Sequence, residues 1–347
     1  MKKWLIAVLC VVLCLVLGTG TVNFLTDPLM QYRPLHPALT FVAFDYDYIN
    51  PGLAKNSEYE GVLVGTSLAE NSDMDAFGDA FGMRMIKLIY PGGTARNNRE
   101  ILDVAFRSRE LRTVIWSIDD TLYSSGSDAL SHELPAYLYD DVLLNDVHYL
   151  LNLSILYNYT FKDIVNSMRG MSTPPLLRGD VWSGSDTFGK DAVMAVQTKN
   201  PQQKENAGET YYQAYVQDNL EHIVVPLLQA HPQTQFIFYF PPKCVTYWQN
   251  ALREGVFDAK FYSMEYVADT LLQYDNARVF FFADRMEWTT DFNLYKDNIH
   301  FKQAVNNQMG ADMAQGTGEL TAETAGARIR ALRNMLLQLD YAKIIGG

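Results

Sequence analysis

Cysteine is scarce in this sequence, with three residues in 347, and Cys10 and Cys14 fall in an apolar N-terminal stretch. Cys244 stands alone in the rest of the chain, which excludes an intrachain disulfide and a cysteine-built metal site there. No P-loop, H-E-x-x-H motif, dinucleotide-binding glycine fingerprint or cluster of metal ligands occurs, so no cofactor is expected. Positive charge is also in deficit: 28 Lys and Arg stand against 40 Asp and Glu, a net charge of −12. That balance argues against nucleic acid or anionic lipid as the principal ligand. Repeats and low-complexity tracts are absent, and 48% hydrophobic with 20% charged residues is an ordinary globular composition.

One long uncharged run is present. Lys2 and Lys3 precede a stretch from Trp4 to Thr26 with no charged residue, and the first acid is Asp27. At about 1.5 Å rise per residue this helix can cross a hydrocarbon core of roughly 30 Å. The lysines favour the cytoplasmic side, leaving the remainder outside. A cleaved signal peptide is the rival, but Gly18-Thr19-Gly20-Thr21-Val22-Asn23 offers no A-x-A-like cleavage site. Residues 1–26 are therefore read as a single-pass signal-anchor in the cell membrane.

Residues 27–59, rich in proline and aromatics, read as an irregular stalk. From residue 60 to 347 short apolar runs alternate with helical patterns. Strands are expected at Gly61–Val64, Met83–Tyr90, Thr113–Ile118, Gln235–Phe240 and Arg278–Phe282, with helices at Ala95–Arg109, Tyr211–Ala230 and Ala259–Tyr274. This alternation predicts an α/β fold with a parallel sheet covered on both faces. An insertion at about residues 121–210 interrupts the rhythm, with a helical Tyr/Leu-rich part (Ala136–Met168) and a polar part (Pro174–Asn206). It reads as a lid, a substrate-binding subdomain or a plain elaboration. The helix expected at Ala322–Tyr341 carries an apolar stripe of Ile329, Leu332, Met335, Leu336 and Leu339.

Two short segments carry chemistry. Glu60-Gly61-Val62-Leu63-Val64-Gly65-Thr66-Ser67 is a strand that breaks at glycine and presents a serine. Asp297-Asn298-Ile299-His300 places a carboxylate and an imidazole three residues apart, close enough to bond within one loop. Together they supply a nucleophile (Ser67), a base (His300) and an orienting acid (Asp297) for acyl transfer. Gly65-Thr66-Ser67-Leu68-Ala69 also resembles the G-x-S-x-G elbow of α/β-hydrolases, but that fold places several strands before its nucleophile, and here only a stalk precedes. Pro91-Gly92-Gly93-Thr94 follows strand two, where glycine lets a backbone N–H approach a substrate oxygen. Asn97 and Asn98 are side-chain donors there, or caps of the next helix. Tyr247 and Trp248, after the Pro241-Pro242 turn, are candidates to line an acyl or sugar subsite. Asn152-Leu153-Ser154 and Asn158-Tyr159-Thr160 match the glycosylation sequon by coincidence.

The arrangement resembles the SGNH (GDSL-type) hydrolase superfamily. Ser67 matches its first block, Gly93 its oxyanion glycine after strand two, and Asp297 with His300 its C-terminal D-x-x-H loop. The resemblance implies a three-layer, flavodoxin-like parallel sheet, a Ser67/His300/Asp297 triad and an oxyanion hole from the Ser67 and Gly93 N–H groups. The third block departs from the pattern: Ser117-Ile118-Asp119-Asp120 has aspartates where the superfamily has asparagine, and an ionised carboxylate cannot donate to an oxyanion. Asn97 is one replacement.

With its N-terminal anchor, the chain is similar to the membrane-anchored DltD-like and AlgJ/AlgX-like branch. That implies an extracytoplasmic acyltransferase or esterase acting on acyl esters of cell-envelope polymers, with a membrane-bound O-acyltransferase as partner. A non-catalytic or weakly catalytic accessory subunit, binding a polymer or such an acyltransferase, is the alternative.

Overall fold

The computed structural model describes residues 2–40, 45–131, 133–171, 182, 186–197 and 202–346. Part of the Pro174–Asn206 segment expected to form a polar loop (174–181, 183–185 and 198–201) lies outside the described residues, and the described part contains a short helix, Lys190–Ala195.

Six strands form one sheet: β1 (Gly61–Gly65), β2 (Met85–Ile89), β3 (Thr113–Ser117), β4 (Gln235–Phe240), β5 (Ala277–Phe281) and β6 (Glu319–Leu320). Their spatial order is β2-β1-β3-β4-β5-β6. The first five run parallel, and the first five places are the flavodoxin-type doubly wound order. β1 and β3 are buried at every position. That explains why they read as unbroken apolar runs rather than alternating ones, since a sheet covered on both faces has no polar side. β6, two residues long and antiparallel to β5 through Val279↔Leu320 and Phe280↔Glu319, was not expected from the sequence.

The chain divides into two compact units. One unit, Tyr59–Arg99, Glu110–Ser131 and Leu176–Gly347, holds the sheet. Within it the helix Gln303–Gln315 packs on the helix Met74–Phe81. Gly310 allows this approach, because a Cβ there would meet the Phe77 ring at 2.8 Å. The C-terminal helix runs Ala325–Leu337 and buries Ile329, Leu332 and Leu336, while Met335 of the expected stripe points out.

The other unit comprises Met1–Glu58, Glu100–Arg109 and His132–Pro175. Its helix α1 (Lys2–Thr26) is long and apolar enough to cross a membrane. The segment expected to be an irregular stalk contains a second helix, α2 (Tyr46–Asn56), with Pro51 inside it. Asp45 caps it by accepting from the Asp47 N–H, which supplies the start that proline content obscured. The Ala136–Met168 stretch is not one helix. It is a chain of short turns, among them Ala136–Tyr139, Val147–Leu150 and Lys162–Met168, with a wide π turn at Leu156–Phe161.

α1 joins its unit without a flexible linker. Asn23 donates to Leu150 O (2.9 Å) and Asn152 O (3.3 Å) and accepts from the Thr160 hydroxyl (3.0 Å). Asp27, at φ 43°, accepts from the N–H groups of Gln31, Tyr32 and Arg33 and from Tyr149 OH (2.8 Å).

Candidate active site

In a doubly wound sheet the crevice lies beyond the carboxyl ends of the strands, at the point where the order reverses. Here that point is between β1 and β3, and the residues after β1, β2, β3 and β4 line one cavity of about 220 Å³. Thr66 and Ser67 come from β1, Gly92 and Gly93 from β2, Asp119 and Asp120 from β3, and Lys243 from β4.

β1 ends at Gly65, whose φ of +154° and 2.9 Å approach of a would-be Cβ to Ser117 Cβ leave no room for a side chain. Thr66 then caps a short turn, Ser67–Glu70, placing Ser67 at its first position. Among the described residues the Ser67 N–H donates no hydrogen bond.

Asp297 and His300 sit in a loop held at both ends. Tyr295 and Phe301, both buried, form an antiparallel bridge, and Lys296 N–H donates to His300 O (3.0 Å). Asp297 Oδ1 accepts from the Ile299 N–H (2.8 Å) and the His300 N–H (2.7 Å), and Oδ2 lies 2.6 Å from His300 Nδ1. Burial pulls the Asp297 carboxyl up, but these bonds and the imidazole outweigh it and hold the carboxyl below the usual carboxylate range. An ionised Asp297 can only accept, so His300 Nδ1 carries the proton and Nε2 is free to accept. Nε2 is 2.7 Å from Ser67 Oγ. The Trp182 ring meets the imidazole edge-on at 5.3 Å, and Lys296 Nζ lies 4.0 Å over that Trp182 ring while pairing with Asp186 (3.1 Å).

The backbone N–H groups expected to face an oxyanion differ in their commitments. Gly93 lines the cavity, but its N–H is donated to Tyr90 O (2.7 Å) within the turn. Gly92 lines it too, at φ +67°, and among the described residues its N–H has no partner. Gly92, not Gly93, has the uncommitted donor. Asn97 is not among the cavity residues. Its Oδ1 accepts from Thr94 N–H (3.0 Å), Thr94 Oγ1 (2.9 Å) and Ser131 N–H (3.1 Å), while its Nδ2 is buried without a partner among the described residues. The Asn98 side-chain atoms are buried without a partner among the described residues.

Asp119 accepts from the Thr66 hydroxyl and from the Thr121 N–H (3.0 Å), and burial pushes its carboxyl up. Asp120 is pulled up by burial, but Lys260 (3.2 Å), Lys243 and Tyr247 OH (2.8 Å) outweigh this and hold it low. Tyr247 is thus a partner of a cavity carboxylate. Trp248 is fully buried against Phe257 and Phe261 and is not among the residues lining this cavity. Lys243, 5% exposed, went unnoticed in the sequence; burial pushes its ammonium pKa down, and Asp120 and Asp119 resist. Its signal was positional, a lysine in the turn after a core strand.

Neither protein-family models nor curated proteins yield a match to this chain.

Proposed function

We propose that this chain is an extracytoplasmic serine acyltransferase or esterase of the SGNH type, acting on acyl esters of cell-envelope polymers. In this reading α1 is a single-pass anchor with the rest of the chain outside the cell membrane. The observation that carries the catalytic part is the unbroken chain Ser67 Oγ, His300 Nε2, His300 Nδ1, Asp297 Oδ2, with contacts of 2.7 and 2.6 Å and with Ser67 lining a cavity.

Ser67 Oγ would attack the carbonyl carbon of the acyl ester while His300 Nε2 takes the hydroxyl proton. The ring becomes an imidazolium beside an ionised Asp297, which stabilises it. The N–H groups of Ser67 and Gly92 suit the oxygen that gains charge, and Lys243 adds a positive field in a cavity otherwise lined by two carboxylates. Collapse expels the alcohol, which takes the proton from Nε2 and leaves the acyl group on Ser67. Water or a polymer hydroxyl, deprotonated by His300, then completes hydrolysis or transfer.

Treating the full-length protein in detergent with a fluorophosphonate probe, followed by peptide mass spectrometry, tests this. The adduct is expected on Ser67, absent in Ser67→Ala and His300→Ala. A wild-type protein that forms no Ser67 adduct and turns over no activated acyl ester would overturn it in favour of a non-catalytic accessory subunit.

A further inference from the structure

Leaving α1 aside, exposed large apolar side chains gather in one stretch of the described chain. Leu143, Leu144, Val147, Leu151, Leu153 and Phe161 are all exposed, Leu144 at 88% and Leu143 at 77%. Single exposed apolar residues are normal, but a dense group marks a surface that meets something. This stretch is in the same compact unit as α1 and touches its last two turns. A Cβ on Gly20 would meet Leu151 Cδ2 at 3.2 Å, Asn23 bonds the carbonyls of Leu150 and Asn152, and the hydroxyls of Thr26 and Thr160 are 3.4 Å apart.

The depth of that contact follows from the length of α1. Its 25 residues rise about 37 Å, against a hydrocarbon core of roughly 30 Å. With Lys2 and Lys3 in the headgroups of one leaflet, the core of the other ends near Gly20 to Phe24. Leu151, at the level of Gly20, therefore lies at the acyl-headgroup boundary. Chemistry also fits lipid. Residues 142–161 contain no lysine or arginine, so attraction to anionic headgroups is not what they offer. Tyr157 and Phe161 stack at 6.1 Å, the kind of aromatic pair that interfacial depth favours.

We propose that the turns between Val142 and Phe161 form a second membrane contact, an apolar foot inserted among the neutral acyl chains of the leaflet from which α1 emerges. The proposal rests on α1 being a membrane anchor.

The test uses the full chain in zwitterionic phosphatidylcholine vesicles, with and without bromine on the acyl chains. Single thiols carry a bimane label in a Cys10→Ala, Cys14→Ala background, Cys244 being buried. Leu144→Cys and Leu153→Cys report on the foot, and Glu323→Cys reports on a solvent-exposed position. Native Cys14, kept with Cys10→Ala alone, reports on the anchor. Labels at 144 and 153 are expected to be quenched at least about twofold more than the label at 323. If Cys14 is quenched while 144 and 153 match 323, the foot is refuted and the anchor stands. If Cys14 is not quenched either, both readings fall. Shielding of 144 and 153 from aqueous iodide in native membranes, without quenching by brominated lipid, would assign the surface to a protein and overturn the lipid proposal.

Discussion

The backbone N–H of Cys244 donates to the carbonyl of Asn298 at 3.1 Å. That bond ties the turn after β4, which carries Lys243, to the middle of the loop that carries Asp297 and His300. The imidazole is thus positioned by a strand end as well as by its own aspartate, and four consequences can be measured.

Asp297→Asn keeps the size of the side chain but removes the charge that holds the Nδ1 proton. Turnover of an activated ester should fall by about 10⁴, mostly in kcat, with the fold retained. Stopped assays with a circular-dichroism control check this; unchanged turnover would remove Asp297 from the triad.

The same carboxyl sets a pH dependence of stability. Its folded pKa lies below the ordinary 3.8, so the unfolded state binds its proton first as pH falls. The stabilisation is complete above about pH 5 and disappears as pH drops through the folded value. The stability difference between wild type and Asp297→Asn should therefore shrink below about pH 4, as read by urea unfolding.

Gly92 and Gly93 should respond differently to alanine. At Gly92 a Cβ meets nothing within 4 Å but the φ of +67° is strained, a loss of about 1–2 kcal/mol. At Gly93 a Cβ would come within 2.8 Å of Tyr90 O, which is backbone and cannot give way. Gly93→Ala should lower Tm more than Gly92→Ala and should also reduce fluorophosphonate labelling. Equal Tm values would contradict this account of the turn.

Tyr295 anchors the Asp297 loop through its ring, yet its hydroxyl is buried without a hydrogen-bond partner among the described residues. Tyr295→Phe should therefore be neutral or stabilising by up to about 1 kcal/mol, with labelling of Ser67 kept. A loss of stability beyond that in thermal unfolding would mean the hydroxyl has a bound partner.

The strands and the Ser67, Asp297 and His300 positions were legible because each depends on local signals. Gly61–Gly65 and Gln235–Phe240 are apolar runs bounded by turns, and Asp297 bonds His300 across three residues. What escaped depends on tertiary structure. β6 is two residues held only by pairing with β5, so no pattern of its own announces it. The helix Tyr46–Asn56 was hidden by Pro51, which sits inside it. Which of Gly92 and Gly93 has a spare N–H depends on a turn closed by Tyr90, and adjacent glycines look alike in sequence. Lys243 reads as a surface charge until the strand order sets it beside β1 and β3.

Asn23 is fully buried and makes three hydrogen bonds to one neighbouring segment, in a helix that is uncharged from Trp4 to Thr26. In a bilayer one apolar helix of the right length can replace another, since lipid reads length and hydropathy alone. A helix carrying a buried polar key cannot be exchanged so freely. Sliding or rotating α1 by one residue would move the Asn23 amide about 100° around the axis and leave Leu150 O, Asn152 O and Thr160 without it. The azimuth of α1 is therefore fixed against its own unit, and its register carries information that its composition does not.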